Sequence, residues 1–128
     1  LEISEGYFRQ ALRKFQNVKN RNGEASSLKG LGNITHIRGD LVEAERLYKE
    51  SLAIFKDIRN RQGEADILSN LGTNALDRGD LEEAERLYKE SLKLRLGIGI
   101  PVFDWYIENG FTNPDEPWDL SLINSSTI

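Results

Sequence analysis

Apolar side chains recur at steps of three and four residues along most of the first 96 positions of the chain. One helical face after Asp40, for example, carries Leu41, Ala44, Leu47, Tyr48, Leu52 and Phe55. This spacing is typical of an amphipathic α-helix, and no stretch alternates with the two-residue period of a β-strand. The pattern predicts five helices, over about 3–18, 23–38, 41–58, 63–78 and 81–96.

The pattern repeats along the chain with an offset of 40 residues. Three stretches recur identically, namely EAERLYKESL at 43–52 and 83–92, RGDL at 38–41 and 78–81, and GEA at 23–25 and 63–65. A more diverged copy upstream has aromatic or leucine residues at the matching positions 8, 12 and 15. Such a period predicts stacked units that bury their apolar faces against one another.

Each unit is predicted to be a hairpin of two antiparallel helices. Gly39-Asp40 and Gly79-Asp80 interrupt the helical pattern, and each Asp precedes a Glu by three residues, which is the spacing of a helix-capping box. Small residues at 32, 44, 72 and 84 allow the helices to approach closely. We expect the tyrosines at 48 and 88 to fill the seam between units. The predicted fold class is therefore all-α.

These residues resemble the tetratricopeptide repeat (TPR) family. The family's pattern has Leu-Gly in the first helix, Ala early in the second helix and an aromatic residue four positions later. Here the matches are 31–32, Ala44 and Tyr48, and then 71–72, Ala84 and Tyr88. The period of 40 residues exceeds the usual period of about 34, and is similar to the longer repeats of kinesin light chains and of adaptors that bind GoLoco-containing proteins. The resemblance implies a right-handed superhelical solenoid of helix hairpins over residues 1–96, with a non-repeat segment appended.

The same resemblance implies a protein- or peptide-binding scaffold, because TPR proteins line a concave groove with the first helix of each hairpin. The matching groove residues are Ser26, Lys29, Asn33, His36 and Ile37 in one hairpin and Asp66, Ser69, Asn70, Thr73, Leu76 and Asp77 in the next. Lys29, Asn33 and Asn70 match three positions of the clamp by which some TPR co-chaperones hold a C-terminal carboxylate. The next matching positions, Tyr106 and Gly110, lack the expected bases. A solvated polar surface that holds no ligand is the alternative interpretation.

Composition divides the chain near residue 96. Residues 97–128 contain five acidic residues, both tryptophans and none of the 17 Lys and Arg. We interpret 97–128 as a non-repeat acidic and aromatic segment, in which Pro101 begins a short capping helix over about 101–109. One face of that helix would carry Val102, Phe103, Tyr106 and Ile107. The acidic segment around Trp118 resembles the tryptophan-acidic peptides that kinesin-light-chain grooves accept, so it is either a peptide ligand of this fold or a tail without that role.

No residue set in the chain supports catalysis. His36 is the single histidine and cysteine is absent, so we predict no metal site, no cofactor and no enzymatic activity. The chain lacks the basic excess of a nucleic-acid binder and the run of about 20 apolar residues that a membrane span needs. We therefore predict a protein or peptide partner, without nucleic acid or membrane. The absence of cysteine fits a reducing compartment, and we expect a cytoplasmic location.

Two other functions stay open at this point. The chain could be a structural self-assembly module, in which open solenoid ends or an exchanged tail join copies of it. It could also be the regulatory part of an enzyme whose catalytic domain lies outside this sequence. Because the chain begins at Leu1 and contains no methionine, we expect it to be a fragment or a processed form of a longer protein.

Overall fold

The computed structural model describes residues 1–97, and this part of the chain forms five α-helices. They are α1 (Glu2–Asn17), α2 (Arg21–Ile37), α3 (Leu41–Asp57), α4 (Arg61–Asp77) and α5 (Leu81–Gly97). The five predicted helices and the all-α fold class are confirmed, and no strand occurs within residues 1–97. The predicted capping helix over 101–109 and the acidic tail lie outside the described residues.

Side-chain caps begin four of the five helices at intervals of 20 residues. Asp40 and Asp80 each accept a hydrogen bond from the backbone amide three residues ahead, at 3.2 Å, as their spacing predicted. Asn20 and Asn60 accept the equivalent bonds from the amides of the glycines at 23 and 63, both at 2.9 Å. These two asparagine caps start α2 and α4 at 21 and 61, two residues before the predicted starts at about 23 and 63.

Every connection between the five helices contains one residue with a positive φ, in the left-handed region of backbone conformation. The two turns inside hairpins use Gly39 and Gly79, with φ of 87° and 85°. The two turns between hairpins use Lys19 and Arg59, with φ of 56° and 57°. A side chain is tolerated at Lys19 and Arg59 at some conformational cost, since this backbone region favours glycine. The two kinds of turn therefore alternate along the chain.

Consecutive helices pack against each other, so that the chain is a stack of hairpins. In addition, the first helices of the two hairpins, α2 and α4, contact each other directly. The second helices, α1, α3 and α5, do not come within contact of one another along their backbones. The first helices are therefore closer together than the second helices. Within residues 1–97, no helix is long and apolar enough to cross a membrane.

The interior of each hairpin depends on a glycine that lies against a tyrosine ring. A Cβ atom on Gly32 would come within 2.7 Å of Tyr48, and one on Gly72 would come within 2.9 Å of Tyr88. The prediction that these glycines permit close helix approach is confirmed. Both tyrosines pack against the first helix of their own hairpin, and the expectation that they also fill the seam between units stays a prediction.

Phenylalanines lie in the seam between units. The ring of Phe15 on α1 covers Gly23 on α2, and the ring of Phe55 on α3 covers Gly63 on α4; in both cases a Cβ on the glycine would fall within 2.6 Å of the ring. Each seam thus pairs an aromatic residue near the end of a second helix with a glycine in the first turn of the next helix. The aromatic ring occupies the volume that a side chain on the glycine would otherwise need.

Candidate functional site

The eleven predicted groove residues all lie on α2 and α4, and none of them is buried. Because α2 and α4 contact each other, these residues form one surface, which we call the first-helix face. It is made of Ser26, Lys29, Asn33, His36, Ile37, Asp66, Ser69, Asn70, Thr73, Leu76 and Asp77. Apart from the exposed apolar side chains of Ile37 and Leu76, the surface is polar.

An imidazole–carboxylate pair joins the two helices across this face. Nε2 of His36 on α2 lies 2.6 Å from Oδ2 of Asp77 on α4. The residues are 41 positions apart in the sequence, so the contact connects one hairpin to the next. With its ring nitrogen engaged in this way, His36 helps to fix the relative position of α2 and α4 at one end of the face.

Tyrosine hydroxyl groups from the second helices hold two polar side chains of the face. The hydroxyl of Tyr48 donates to Oδ1 of Asn33 at 2.6 Å, and the hydroxyl of Tyr88 lies 2.7 Å from Oγ1 of Thr73. Burial raises the pKa of Tyr48 to about 12, so its hydroxyl remains a donor at neutral pH. With its carbonyl oxygen occupied, Asn33 presents its amide NH₂ group to solvent as a donor.

Two further face residues are held by α5. Oδ1 of Asp66 accepts a hydrogen bond from Arg95 at 2.8 Å, and the hydroxyl of Ser69 lies 2.7 Å from that of Ser91. Ser91 also donates to the carbonyl oxygen of Ala65 at 2.7 Å, which ties α5 to the backbone of α4. These contacts engage the acidic group of Asp66 and leave less of its charge for a ligand.

Three polar residues of the face make no side-chain hydrogen bond or ion pair with any other part of residues 1–97: Ser26, Lys29 and Asn70. Lys29 and Asn70 are partly buried and approach the face from α2 and α4 respectively. The carboxylate clamp that Lys29, Asn33 and Asn70 imply stays a prediction, and its next positions, 106 and 110, lie outside the described residues.

A cleft of about 550 Å³ lies at the end of the stack, on the apolar surface of the last hairpin that the expected capping helix would cover. We call it the end cleft; its apolar walls are Leu76, Leu81, Ala84, Tyr88 and Leu92, and its polar rim includes Ser69, Glu85, Lys89, Ser91 and Arg95. The sequence held one signal for it. EAERLYKESL occurs twice, but the Gly-Glu-Ala and Leu-Gly residues of the repeat follow only the first copy, at 63–65 and 71–72.

The solvent-exposed side of the second helices carries ion pairs between residues three or four positions apart. Arg46 contacts Glu43 at 2.6 Å and Glu50 at 3.4 Å, and Arg86 makes the same two contacts in α5. The hydrogen bond from Arg46 lowers the pKa of Glu43. This outer face is solvated, as the spacing of its charges indicated. Residues 1–97 contain no cluster of three His, Cys, Asp or Glu that could hold a metal ion.

Comparison with known families agrees with this architecture. A family model described as tetratricopeptide repeat matches residues 1–57 and again residues 30–96. Comparison with curated proteins found no match, and neither did comparison with solved structures. The two family matches together span the five helices and both hairpins. The chain therefore belongs to the tetratricopeptide repeat family.

Proposed function

We propose that the first-helix face is a concave groove that binds an extended segment of a partner protein. Tetratricopeptide repeats generally serve as protein–protein interaction scaffolds and are typically non-enzymatic. The proposal adds a location to that general role. It assigns recognition to α2 and α4 and assigns the second helices to the support of that face.

The observation that carries the proposal is a difference between the two hairpins. At most inward positions of the first helices the copies agree, with Ala25 and Ala65, Leu28 and Leu68, Leu31 and Leu71, and Gly32 and Gly72; the buried exceptions are Ser27 with Ile67 and Ile34 with Asn74. At the groove positions they differ in every case, with Ser26 and Asp66, Lys29 and Ser69, Asn33 and Thr73, His36 and Leu76, and Ile37 and Asp77; the partly buried Asn70 matches the buried Gly30. A face with no binding role would need only to be polar, whereas an extended ligand meets a different side chain at each step.

The chemistry of the face suits acceptors on a peptide. Lys29, Asn33 and Asn70 each direct donor groups to this face that no other group within residues 1–97 accepts from. An extended peptide offers its backbone carbonyl oxygens, and a chain end or an acidic side chain offers a carboxylate. Charge-assisted bonds from Lys29 to such a carboxylate would be among the stronger contacts of the complex.

The test is a binding measurement with peptides selected from a random library displayed on phage. Lys29→Ala and Asn70→Ala should each weaken the selected peptide's affinity about tenfold, as expected for the loss of one hydrogen bond to a charged or backbone acceptor. Fluorescence anisotropy with the labelled peptide measures the dissociation constant.

Lys49→Ala is the matched control, because Lys49 lies on α3 and pairs with Glu45 at 2.7 Å. It removes the same charge from the other side of the stack, and it should leave the affinity unchanged within about twofold. If Lys49→Ala and Lys29→Ala weaken binding equally, recognition depends on net charge and the proposal fails. A library that yields no binder at all also counts against a peptide groove.

A further inference from the structure

We propose that the edge of the stack formed by the two turns between hairpins binds an acidic, extended segment of a partner protein. This edge lies at the ends of α1 and α3 and at the starts of α2 and α4. We call it the basic edge, and its cationic residues are Lys14, Lys19, Arg21, Lys56, Arg59 and Arg61. None of them belongs to the first-helix face, so the inference does not depend on peptide binding there.

Contacts between the two turns bring these cations to one edge. The side-chain amide of Asn60, which caps α4, donates to Oδ1 of Asn22 on α2 at 2.8 Å. The turn residues Lys19 and Arg59 precede α2 and α4 by two positions each. Because α2 and α4 contact each other, the two turns are separated by roughly the distance between packed helices, about 10 Å. The basic edge is therefore a short row of cations on neighbouring turns.

The acids beside this row are already engaged by its arginines. Arg21 contacts Glu24 at 3.2 Å and Asp57 at 3.7 Å. Arg61 contacts Glu64 at 3.0 Å. The other four cations are exposed and make no hydrogen bond or ion pair within residues 1–97, namely Lys14, Lys19, Lys56 and Arg59. The edge thus keeps a local excess of positive charge that an acidic partner can meet.

Backbone conformation gives a separate reason to assign a role to two of these cations. The turns inside hairpins place Gly39 and Gly79 in the left-handed region, whereas the turns between hairpins place Lys19 and Arg59 there. Glycine adopts this conformation at lower cost than any residue with a Cβ atom. Both turns between hairpins therefore hold an exposed cation where glycine would be less strained. Neither side chain has a partner in the described part of the chain, so local packing does not account for it.

The distribution of charge favours an acidic protein segment over a nucleic acid or a membrane surface. Residues 1–96 contain 17 Lys and Arg and 16 acidic residues, so the repeat region has little net charge with which to attract a large polyanion. An extended peptide advances about 3.3 Å per residue. Acidic residues at every third position of such a peptide would therefore meet one turn after the other along the row.

The test measures the affinity of the full chain for a fluorescein-labelled peptide with glutamate at every third position and serine and proline between. The double variant Lys19→Gly with Arg59→Gly should raise the dissociation constant about fivefold or more at low salt, as expected for the loss of two exposed charge pairs. Its thermal unfolding temperature should be at least that of the wild type, because glycine relieves the left-handed strain. Unchanged affinity combined with a lower unfolding temperature would show a structural role and overturn the proposal.

The matched control is the double variant Lys49→Ala with Arg86→Ala. It removes the same charge from the outer faces of α3 and α5, where both cations pair with glutamates of their own helices. It should leave the affinity unchanged within about twofold. Equal weakening by the two double variants would make net charge the cause and overturn the proposal. A peptide of the same composition with its glutamates in one block should bind less tightly, and equal or tighter binding contradicts recognition by the row of turns.

Two further measurements identify the occupant. The triple variant Asp115→Asn, Glu116→Gln and Asp119→Asn removes charges from the chain's own acidic segment, and it should change the affinity by less than about twofold. A rise in affinity of about tenfold would mean that this segment competes for the edge, which contradicts a partner as the occupant. Binding to phosphatidylserine vesicles or to a single-stranded oligonucleotide that the glycine double variant loses, while the peptide does not bind, would also overturn the proposal.

Discussion

The two second helices α3 and α5 share ten identical residues, at 43–52 and 83–92, but they lie in different surroundings. In α3 the shared Tyr48 is buried between α2 and the rest of the stack, whereas in α5 the shared Tyr88 faces the end cleft. Both tyrosines nevertheless donate or share a hydrogen bond with the first helix of their own hairpin. The same local sequence thus builds the same hairpin twice, while burial differs because, within residues 1–97, a further helix follows only the first copy.

The first helices, α2 and α4, allow packed and exposed positions to be compared between the two hairpins. In α2 and α4 most inward residues repeat, with the exceptions of Ser27 and Ile67 and of Ile34 and Asn74, whereas none of the groove positions repeats. Where the packing requirement is the same in each unit, it selects the same alanine, leucine and glycine residues, whereas the exposed positions are free of that requirement. Differences among exposed positions are where binding specificity can arise in a repeat protein.

The largest expected effect concerns the two shared tyrosines. In a chain that ends at Gly97, Tyr48→Ala should lower the free energy of unfolding by about 3–5 kcal/mol, the range for truncating a buried aromatic residue. Tyr88→Ala should lower it by only about 1–2 kcal/mol, because part of its ring is already in contact with water. Urea denaturation followed by circular dichroism measures both. In the full chain the two costs should converge if the segment after Pro101 covers Tyr88, and they should remain apart if it does not.

The next largest effect concerns the two glycines beneath those rings. Gly32→Ala should destabilise the protein by about 1–3 kcal/mol, because the new methyl group meets a tyrosine that is held on all sides. Gly72→Ala should cost less, since Tyr88 has the end cleft to move into and alanine is a better helix former than glycine by about 1 kcal/mol. Thermal unfolding of the two variants, again in the chain ending at Gly97, checks the order. Equal costs would show that Tyr88 is as tightly held as Tyr48.

A smaller effect is expected at high pH. Burial raises the pKa of Tyr48 in the folded state from the ordinary value of 10.0 to about 12, so the unfolded state releases the phenolic proton first. The stability that the protonated hydroxyl contributes is complete below pH 10 and is lost as the pH rises toward 12. Tyr48→Phe should therefore reduce the fall in unfolding free energy between pH 9 and pH 12, measured by urea denaturation at each pH. If wild type and variant lose stability in parallel, other groups account for the alkaline transition.

The smallest effect concerns the outer faces, where α3 and α5 are alike. Arg46 and Arg86 each contact two glutamates of their own helix, with both arginine side chains more than half exposed. Arg46→Ala and Arg86→Ala should each change the free energy of unfolding by less than about 1 kcal/mol and by similar amounts. Thermal unfolding at low and high salt provides the check. A large difference between the two would mean that one outer face packs against another part of the protein.

Much of this fold could be predicted from the sequence, because its features are local and repeated. The five helices follow from apolar spacing, and the caps at Asp40 and Asp80 follow from the three-residue spacing to a glutamate. The asparagine caps at Asn20 and Asn60 were missed because the glycines after them suggested that the helices had not yet begun.

The seams and the site were harder to predict, because they depend on contacts between units. The pairing of Phe55 with Gly63 joins residues that are close in sequence, but nothing local indicates that the ring turns back over the glycine. Asn74 occupies the position of Ile34, is fully buried and uses its amide to cap a carbonyl of another helix. The identity of the groove residues followed from family resemblance, whereas their partners, such as Tyr48 for Asn33 and Asp77 for His36, appear only when the helices are stacked.

The most direct test of the central claim is to locate the binding surface by nuclear magnetic resonance. The full chain, labelled with nitrogen-15, is titrated with a library-selected peptide, and the changes in amide shifts are mapped onto the five helices. We expect the largest changes in α2 and α4, around Lys29, Asn33 and Asn70, with little change along the outer faces of α3 and α5. Changes concentrated on those outer faces, with α2 and α4 unaffected, would contradict the assignment of recognition to the first-helix face.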